Sequence, residues 1–286
     1  MTSMSVEVER KSVLETRENA VTNNGKAKAS SGGAKSVLHG IMKTGIISWL
    51  ILLGIWQLAS MFNPPEFLPS PLKTLEGLKE VFDSGVLMQD IGISLQRVAI
   101  GWGRGILIAV PLGLLIGAFK PVRMLVEPLI NFFRFVPAIG FLTLFLMWFG
   151  VGEASKTVLI TYASIFPIII NTVAAVGAID RTRYQAAESL GASRWQRFIH
   201  VTVPGSMPGM FTGVRIGLST AIIAIVGAEM LAADSGLGYL IYTSRLYYRT
   251  DWIFVGIVIL GILGFAADKL LRFLARVLFK HYGITE

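Results

Sequence analysis

The sequence predicts an all-α membrane protein of about six transmembrane helices. Hydrophobic residues make up 53% of the 286 and charged residues only 15%, where a soluble domain carries about a quarter charged residues. Apolar runs of about 20 residues recur, each long enough to cross a hydrocarbon core of about 30 Å. Arg and Lys gather in alternate connections between those runs, the asymmetry that orients a multi-pass chain.

Residues 1–43 are rich in Ser, Gly, Asn, Lys and Glu and show no apolar period. Such a stretch buries too little surface to offset chain entropy, so a disordered tail is expected. It does not read as a secretory signal, because the first apolar run starts too late. A transmembrane domain is expected over 44–280, with 281–286 as a short C-terminal tail. Its spans fall at about 45–62, 94–119, 124–149, 155–179, 209–232 and 252–274, the first closed by Asn63-Pro64-Pro65. Between the first two, Leu72, Leu75, Leu78, Val81 and Phe82 recur at helical spacing from Pro71 to Asp83, which predicts a short amphipathic interfacial helix. A second short, partly buried outer segment is expected at Gly236-Leu237-Gly238-Tyr239-Leu240-Ile241-Tyr242.

Charge then orients the spans. One side collects Lys43 and the basic tail, Lys120, Arg123, Arg181, Arg183, Arg194, Arg197, Lys269, Arg272, Arg276 and Lys280. The other holds Lys73, Lys79, Lys156, Arg245 and Arg249 among acids such as Glu66, Glu76, Asp90, Glu153 and Asp251. Both termini and the segment 180–204 are therefore expected in the cytoplasm. The net charge of +8 is explained by this placement, and no nucleic-acid partner is required. With no cysteine there is no disulfide framework. His39, His200 and His281 are scattered, which argues against a metal site. No G-x-x-x-x-G-K-[ST] string occurs, so a phosphate-cradling loop and a catalytic role in ATP hydrolysis are not expected of this chain.

The segment 180–204 is the most specific part of the sequence. Gln185, Ala186, Ala187 and Glu188 are good helix formers within two turns ending near Leu190. Gly191 suits the left-handed position that closes a helix, and Ser193 suits the N-cap of a second turn through Arg194 and Arg197. Pro204 is expected to end the segment. By local physics alone this is equally an interfacial connector or a surface for a partner.

Spacing adds a resemblance. Gln185-Ala186-Ala187, Gly191 and Val201-Thr202-Val203-Pro204 resemble the cytoplasmic loop of permease subunits of bacterial ATP-binding-cassette importers of type I, which reads Glu-Ala-Ala, three residues, Gly, nine residues, Ile-x-Leu-Pro. Gln185 replaces the acid and lacks the charge for an ion pair there. Phe67-Leu68-Pro69-Ser70-Pro71, Ser94-Leu95-Gln96-Arg97-Val98, Trp148 to Lys156, and Ala228-Glu229 with Gly236-Leu237-Gly238 resemble the nitrate, sulfonate, taurine and bicarbonate group. The resemblance implies that Arg183, Gln185, Ala186, Ala187, Glu188, Gly191, Ala192 and Ser193 form a coupling helix seated in a separate ATPase, which would bind the ATP and Mg. It also implies a second permease copy, an extracytoplasmic substrate-binding protein and a bacterial inner-membrane location.

Ionisable groups inside spans are functional candidates. Arg134 stands about ten residues, roughly 15 Å, into the third span. With Pro137 and Gly140 beside it, the helix is expected to kink or unwind, as helices do near transporter sites. Two roles are open: a guanidinium in the pathway of an anion, or a structural pair with Glu127. Ser219 and Thr220 are candidates to hydrogen-bond solute or to pack against neighbours. Glu229 is a candidate outer gate or a side chain reaching water, and Arg97 and Arg104 read as anchors. Arg215 is expected to snorkel or to pair with Glu127 or Glu188. The competing class, an ATP-independent channel or secondary carrier, would require an inverted repeat or a coupling-ion site, and neither is visible.

Overall fold

The computed structural model describes residues 45–278, all helix and short turns; the expected tails at 1–43 and 281–286 lie outside them. The chain divides into two units, 1–63 and 64–286. In the first, α1 (Ile46–Met61) is apolar and follows Gly45 in a left-handed conformation (φ 69°). Its 16 residues extend about 24 Å. Asn63 Nδ2 donates to the Ala59 carbonyl at 2.8 Å, meeting one of the acceptors left open where the helix stops.

In the second unit, α2 (Pro71–Asp83) has the bounds and the amphipathic character the sequence predicts. Ser70 caps it, accepting from the Lys73 amide, and Pro71 starts it. Thr74, Gly77 and Val81 are buried while Leu72, Leu75 and Phe82 are exposed. Next, α3 (Val86–Ala118) begins eight residues before the expected span, because Gly85 in a left-handed turn (φ 77°) lets helix start directly after α2. α4 (Lys120–Phe133) and α5 (Leu142–Phe149), the latter entered through a tight turn at Ala138–Phe141, make up the expected third span, which bends by 90° at the break over 134–137.

α6 (Glu153–Gly177) runs unbroken through Pro167. α7 (Arg181–Ser189) and α8 (Arg194–Arg197) follow, then a wide turn of π type over Phe198–Thr202 leads into α9 (Val203–Ala232). Pro204 therefore does not end the segment. It sits in the first turn of α9, where a missing N–H costs nothing. α10 (Leu237–Leu246) and α11 (Thr250–Leu278) complete the described chain. Four helices are long and apolar enough to cross a membrane, and the bent pair supplies a fifth crossing if it is one span. The first expected span, 45–62, corresponds to the shorter α1.

α6 lies between α3 and α9, and these are the most extensive helix pairs in the molecule. The close approach is made by small residues. A Cβ on Gly101 would lie 2.6 Å from Ile160 Cβ, one on Gly105 2.2 Å from Ser164 Oγ, and one on Gly113 2.7 Å from Thr172 Cβ. From the other side a Cβ on Gly213 would lie 2.8 Å from Asn171 Cβ, and one on Gly217 2.8 Å from Ile168 Cγ1. Repeats of small residues every four positions are how membrane helices bring their backbones together. The cores between them hold Ala109, Ile116, Ile168 and Ile169, and Val98, Ile160, Leu218 and Ile225. Leu107 and Ile262 point outward, which is normal for a chain solvated by lipid.

Candidate functional site

The break in the third span opens a cavity of ≈ 650 Å³ lined by Arg134, Phe135, Pro137, Ile139, Tyr162, Phe166, Thr220, Ile223 and their neighbours. α4 stops because Pro137 cannot donate; the Phe133 carbonyl at its end accepts instead from the Val136 amide at 3.0 Å and from Tyr162 OH at 2.9 Å. Arg134 is the closing residue of α4, and its guanidinium stands 4.6 Å from the Phe135 ring centroid. Glu127 is not its partner. That carboxylate accepts from Arg123 Nε at 3.0 Å. Among the described residues no carboxylate pairs with Arg134.

Arg134 and Thr220 thus line one cavity, while Ser219 and Glu229 do not. The Thr220 hydroxyl donates to the Gly217 carbonyl at 2.9 Å. Ser219 reaches back to the Arg215 carbonyl at 3.4 Å. Arg215 itself bonds Asp268 at 2.9 Å, a partner on α11 that the sequence reading did not name, in place of Glu127 or Glu188. Arg104 donates to Thr157 Oγ1 at 3.2 Å.

Glu229 belongs to a different assembly. It is fully buried, and Arg97 Nη1 donates to it at 2.8 Å. The same guanidinium grips Glu153 through Nε and Nη2, both at 2.7 Å, and the Ser235 carbonyl at 2.7 Å. Three successive amides at the start of α10 are then capped from α3 and α9. Gly236 N donates to Asp90 (2.7 Å), Leu237 N to Ser94 Oγ (2.9 Å), and Gly238 N to Glu229 (2.9 Å). Carboxylates suit the positive end of a helix. Asp90, Ser94 and Arg97 stand at i, i+4 and i+7, one face of α3. That spacing was readable, but nothing in the sequence placed α10 opposite it. Only glycine fits at 236, where φ is 111° and a Cβ would lie 2.4 Å from the Glu229 carboxyl carbon.

The segment 180–204 is built by its caps. Asp180 accepts from the Thr182 amide at 2.8 Å and starts α7. That backbone bond, with the Thr182 hydroxyl next, holds the Asp180 carboxyl below the usual aspartate range. Gly191 adopts φ 77°, and the Gly191 and Ala192 amides close α7 on Glu188 and Ala187. Ser193 and Gln196 exchange side-chain bonds as a capping box for α8. Arg197 bonds Glu188 at 3.2 Å, and Tyr184 OH meets Thr202 Oγ1 at 3.0 Å. Arg183, Gln185, Ala186, Glu188, Gly191 and Ser193 are exposed, while Ala187 and Ala192 are half-buried. Leu190 is 88% exposed at the tip, an apolar contact beyond those the resemblance named.

A family profile described as "Binding-protein-dependent transport system inner membrane component" matches residues 109–282. A probable ABC transporter permease protein of Brucella melitensis is 38% identical over 227 residues, 79% of this chain and 92% of that one. The taurine transport system permease protein of Escherichia coli is 35% identical over 243 residues, 82% of this chain and 88% of the relative. Among solved structures, the inward-facing MetNI methionine ABC transporter aligns with TM-score 0.56 at 20% identity, over 65% of this chain and 95% of that one.

Proposed function

The chain belongs to the family of inner membrane components of binding-protein-dependent transport systems, and we propose that two copies of it form the ATP-driven import pathway for a small anion. It is an ABC importer permease, a multi-pass membrane subunit that is not itself an enzyme. The anion is of the nitrate, sulfonate/taurine or bicarbonate type, the taurine relative supporting that class. An external binding protein delivers it, and a separate ATPase holds ATP and Mg.

One observation carries the reading of the pathway. Arg134 stands at a 90° break in a membrane span, on a cavity wall, without a carboxylate partner among the described residues. An uncompensated guanidinium at that depth is costly unless it faces water or an anion, and its planar fork matches oxyanions. Thr220 on the same wall adds a hydroxyl. The segment from Arg183 to Ser193 seats in the ATPase on the cytoplasmic side, with both termini, as the basic residues support. ATP closes the ATPase pair, the seated segments are drawn together, and the permease pair opens outward. Hydrolysis returns it inward.

The test is uptake of labelled taurine, an alkanesulfonate and nitrate into vesicles holding the complete transporter. Arg134→Gln is expected to lower uptake by about a hundredfold, with Arg134→Lys retaining part, while ATP hydrolysis stimulated by the binding protein persists. Unchanged uptake in Arg134→Gln overturns the pathway role. Uptake that continues when the ATPase is omitted identifies a secondary carrier instead.

A further inference from the structure

A second cavity, of ≈ 600 Å³, lies where the end of α3, the start of α4, the end of α6 and the α7–α8 segment meet. Among the described residues, four cationic side chains line it, Lys120, Arg181, Arg194 and Arg197, and no carboxylate does. Arg197 is partly neutralised by Glu188 at 3.2 Å. Among the described residues, Lys120, Arg181 and Arg194 have no carboxylate in ion-pair range. α4 also begins here with no side-chain cap, so the positive end of a 14-residue helix adds to the field. The hydroxyls of Tyr184 and Thr202 stand in the same wall.

Cations drawn around one hollow repel each other unless an anion sits between them. Arginine forks match phosphate oxygens in pairs. The same cavity has an apolar lining as well, from Phe119, Val176, Ile179 and Phe198. A ligand suited to both kinds of lining carries a phosphate on an apolar body. We propose that this cavity holds the headgroup of an anionic phospholipid, which braces the coupling segment against the spans. Basic pockets between membrane helices take such headgroups. Inorganic phosphate shares the charge but leaves the apolar lining empty. This inference does not depend on what the transporter carries.

The test uses the full chain with its ATPase, purified in mild detergent and titrated with phosphatidylglycerol, phosphatidylcholine or inorganic phosphate. Native mass spectrometry counts the bound lipid. Retention of phosphatidylglycerol over phosphatidylcholine is expected, and the triple variant Lys120→Gln, Arg181→Gln, Arg194→Gln should bind it about a hundredfold more weakly. If the triple variant does not elute as a single species, Arg194→Gln alone should show about a tenfold loss. The paired variant Arg123→Gln, Lys269→Gln removes two basic charges that do not line the cavity and should bind normally. Four results overturn the proposal: equal retention of phosphatidylcholine, an equal loss in the paired variant, displacement by millimolar inorganic phosphate, or expulsion of the lipid when the ATPase docks. The third would identify a free-phosphate site, and the fourth an acidic side chain of the ATPase as the occupant.

Discussion

Arg97 holds Glu153, Glu229 and the Ser235 carbonyl from one position on α3 while only 3% exposed. Replacing it with Met strands a fully buried carboxylate, and breaking such a pair from one side costs about 3–5 kcal/mol. Arg97→Met is therefore expected to lower the melting temperature sharply in detergent, and Arg97→Met with Glu229→Gln to recover part of the loss. A double-mutant cycle on those melting curves isolates the pair. Gly236→Ala meets both a positive φ and the Glu229 carboxyl group. It should destabilise by roughly 1–3 kcal/mol, read by the same assay. Glu80, outside the spans, is a milder case. Arg249 donates to it and holds its carboxyl below the usual range, but both groups are substantially exposed, so Glu80→Gln should leave melting nearly unchanged.

Between elements, the controlling feature is the contact of α6 with the glycine faces of α3 and α9. Gly101→Val would drive its side chain into Ile160, and overpacking of this kind costs about 1–3 kcal/mol. A lower melting temperature with a reduced yield of folded chain is expected, whereas Gly103→Ala, where a Cβ meets nothing, should behave as the native chain. The α7 cap predicts a pH effect. Because the folded Asp180 pKa is depressed, its contribution is full above the unfolded value of about 4 and is lost as pH falls through the folded value. The protection factor of the Thr182 amide, taken against the intrinsic exchange rate at each pH, should fall on that descent and should be low at all pH in Asp180→Ala. The sequence made α2, the Gly191 turn, the Ser193 cap and the broken third span legible, since each follows from residues within a few positions. It left the glycine contacts unread, although the four-residue spacing was visible, because a period does not say which helix it faces. It also left unread the partners of Arg215 and Glu229, which come from helices tens of residues away.

For the whole transporter, the segment after α6 is where an ATPase would act. Ala186→Arg and Gly191→Trp are expected to prevent stable recovery of the ATPase with the permease. Ala186→Arg still folds because Ala186 is exposed. Gly191→Trp meets open space but carries the strain of the left-handed position that closes α7, so Ala186→Arg is the decisive variant. Co-purification and ATP hydrolysis measure this directly. Recovery of an intact, stimulated complex from Ala186→Arg would refute docking there. The geometry of α6 sets what such docking transmits. Its C-terminal end passes through Ala178 and Ile179 into Asp180, and its N-terminal end carries Glu153 in the grip of Arg97. A 25-residue helix extends about 37 Å and resists axial compression through its backbone bonds, less the one that Pro167 cannot donate. Held on two sides at near-backbone contact, it has little room to bow. An ATPase docked on the segment after it would therefore push on a stiff rod, and the ring of bonds around Arg97 would receive the stroke at the far end.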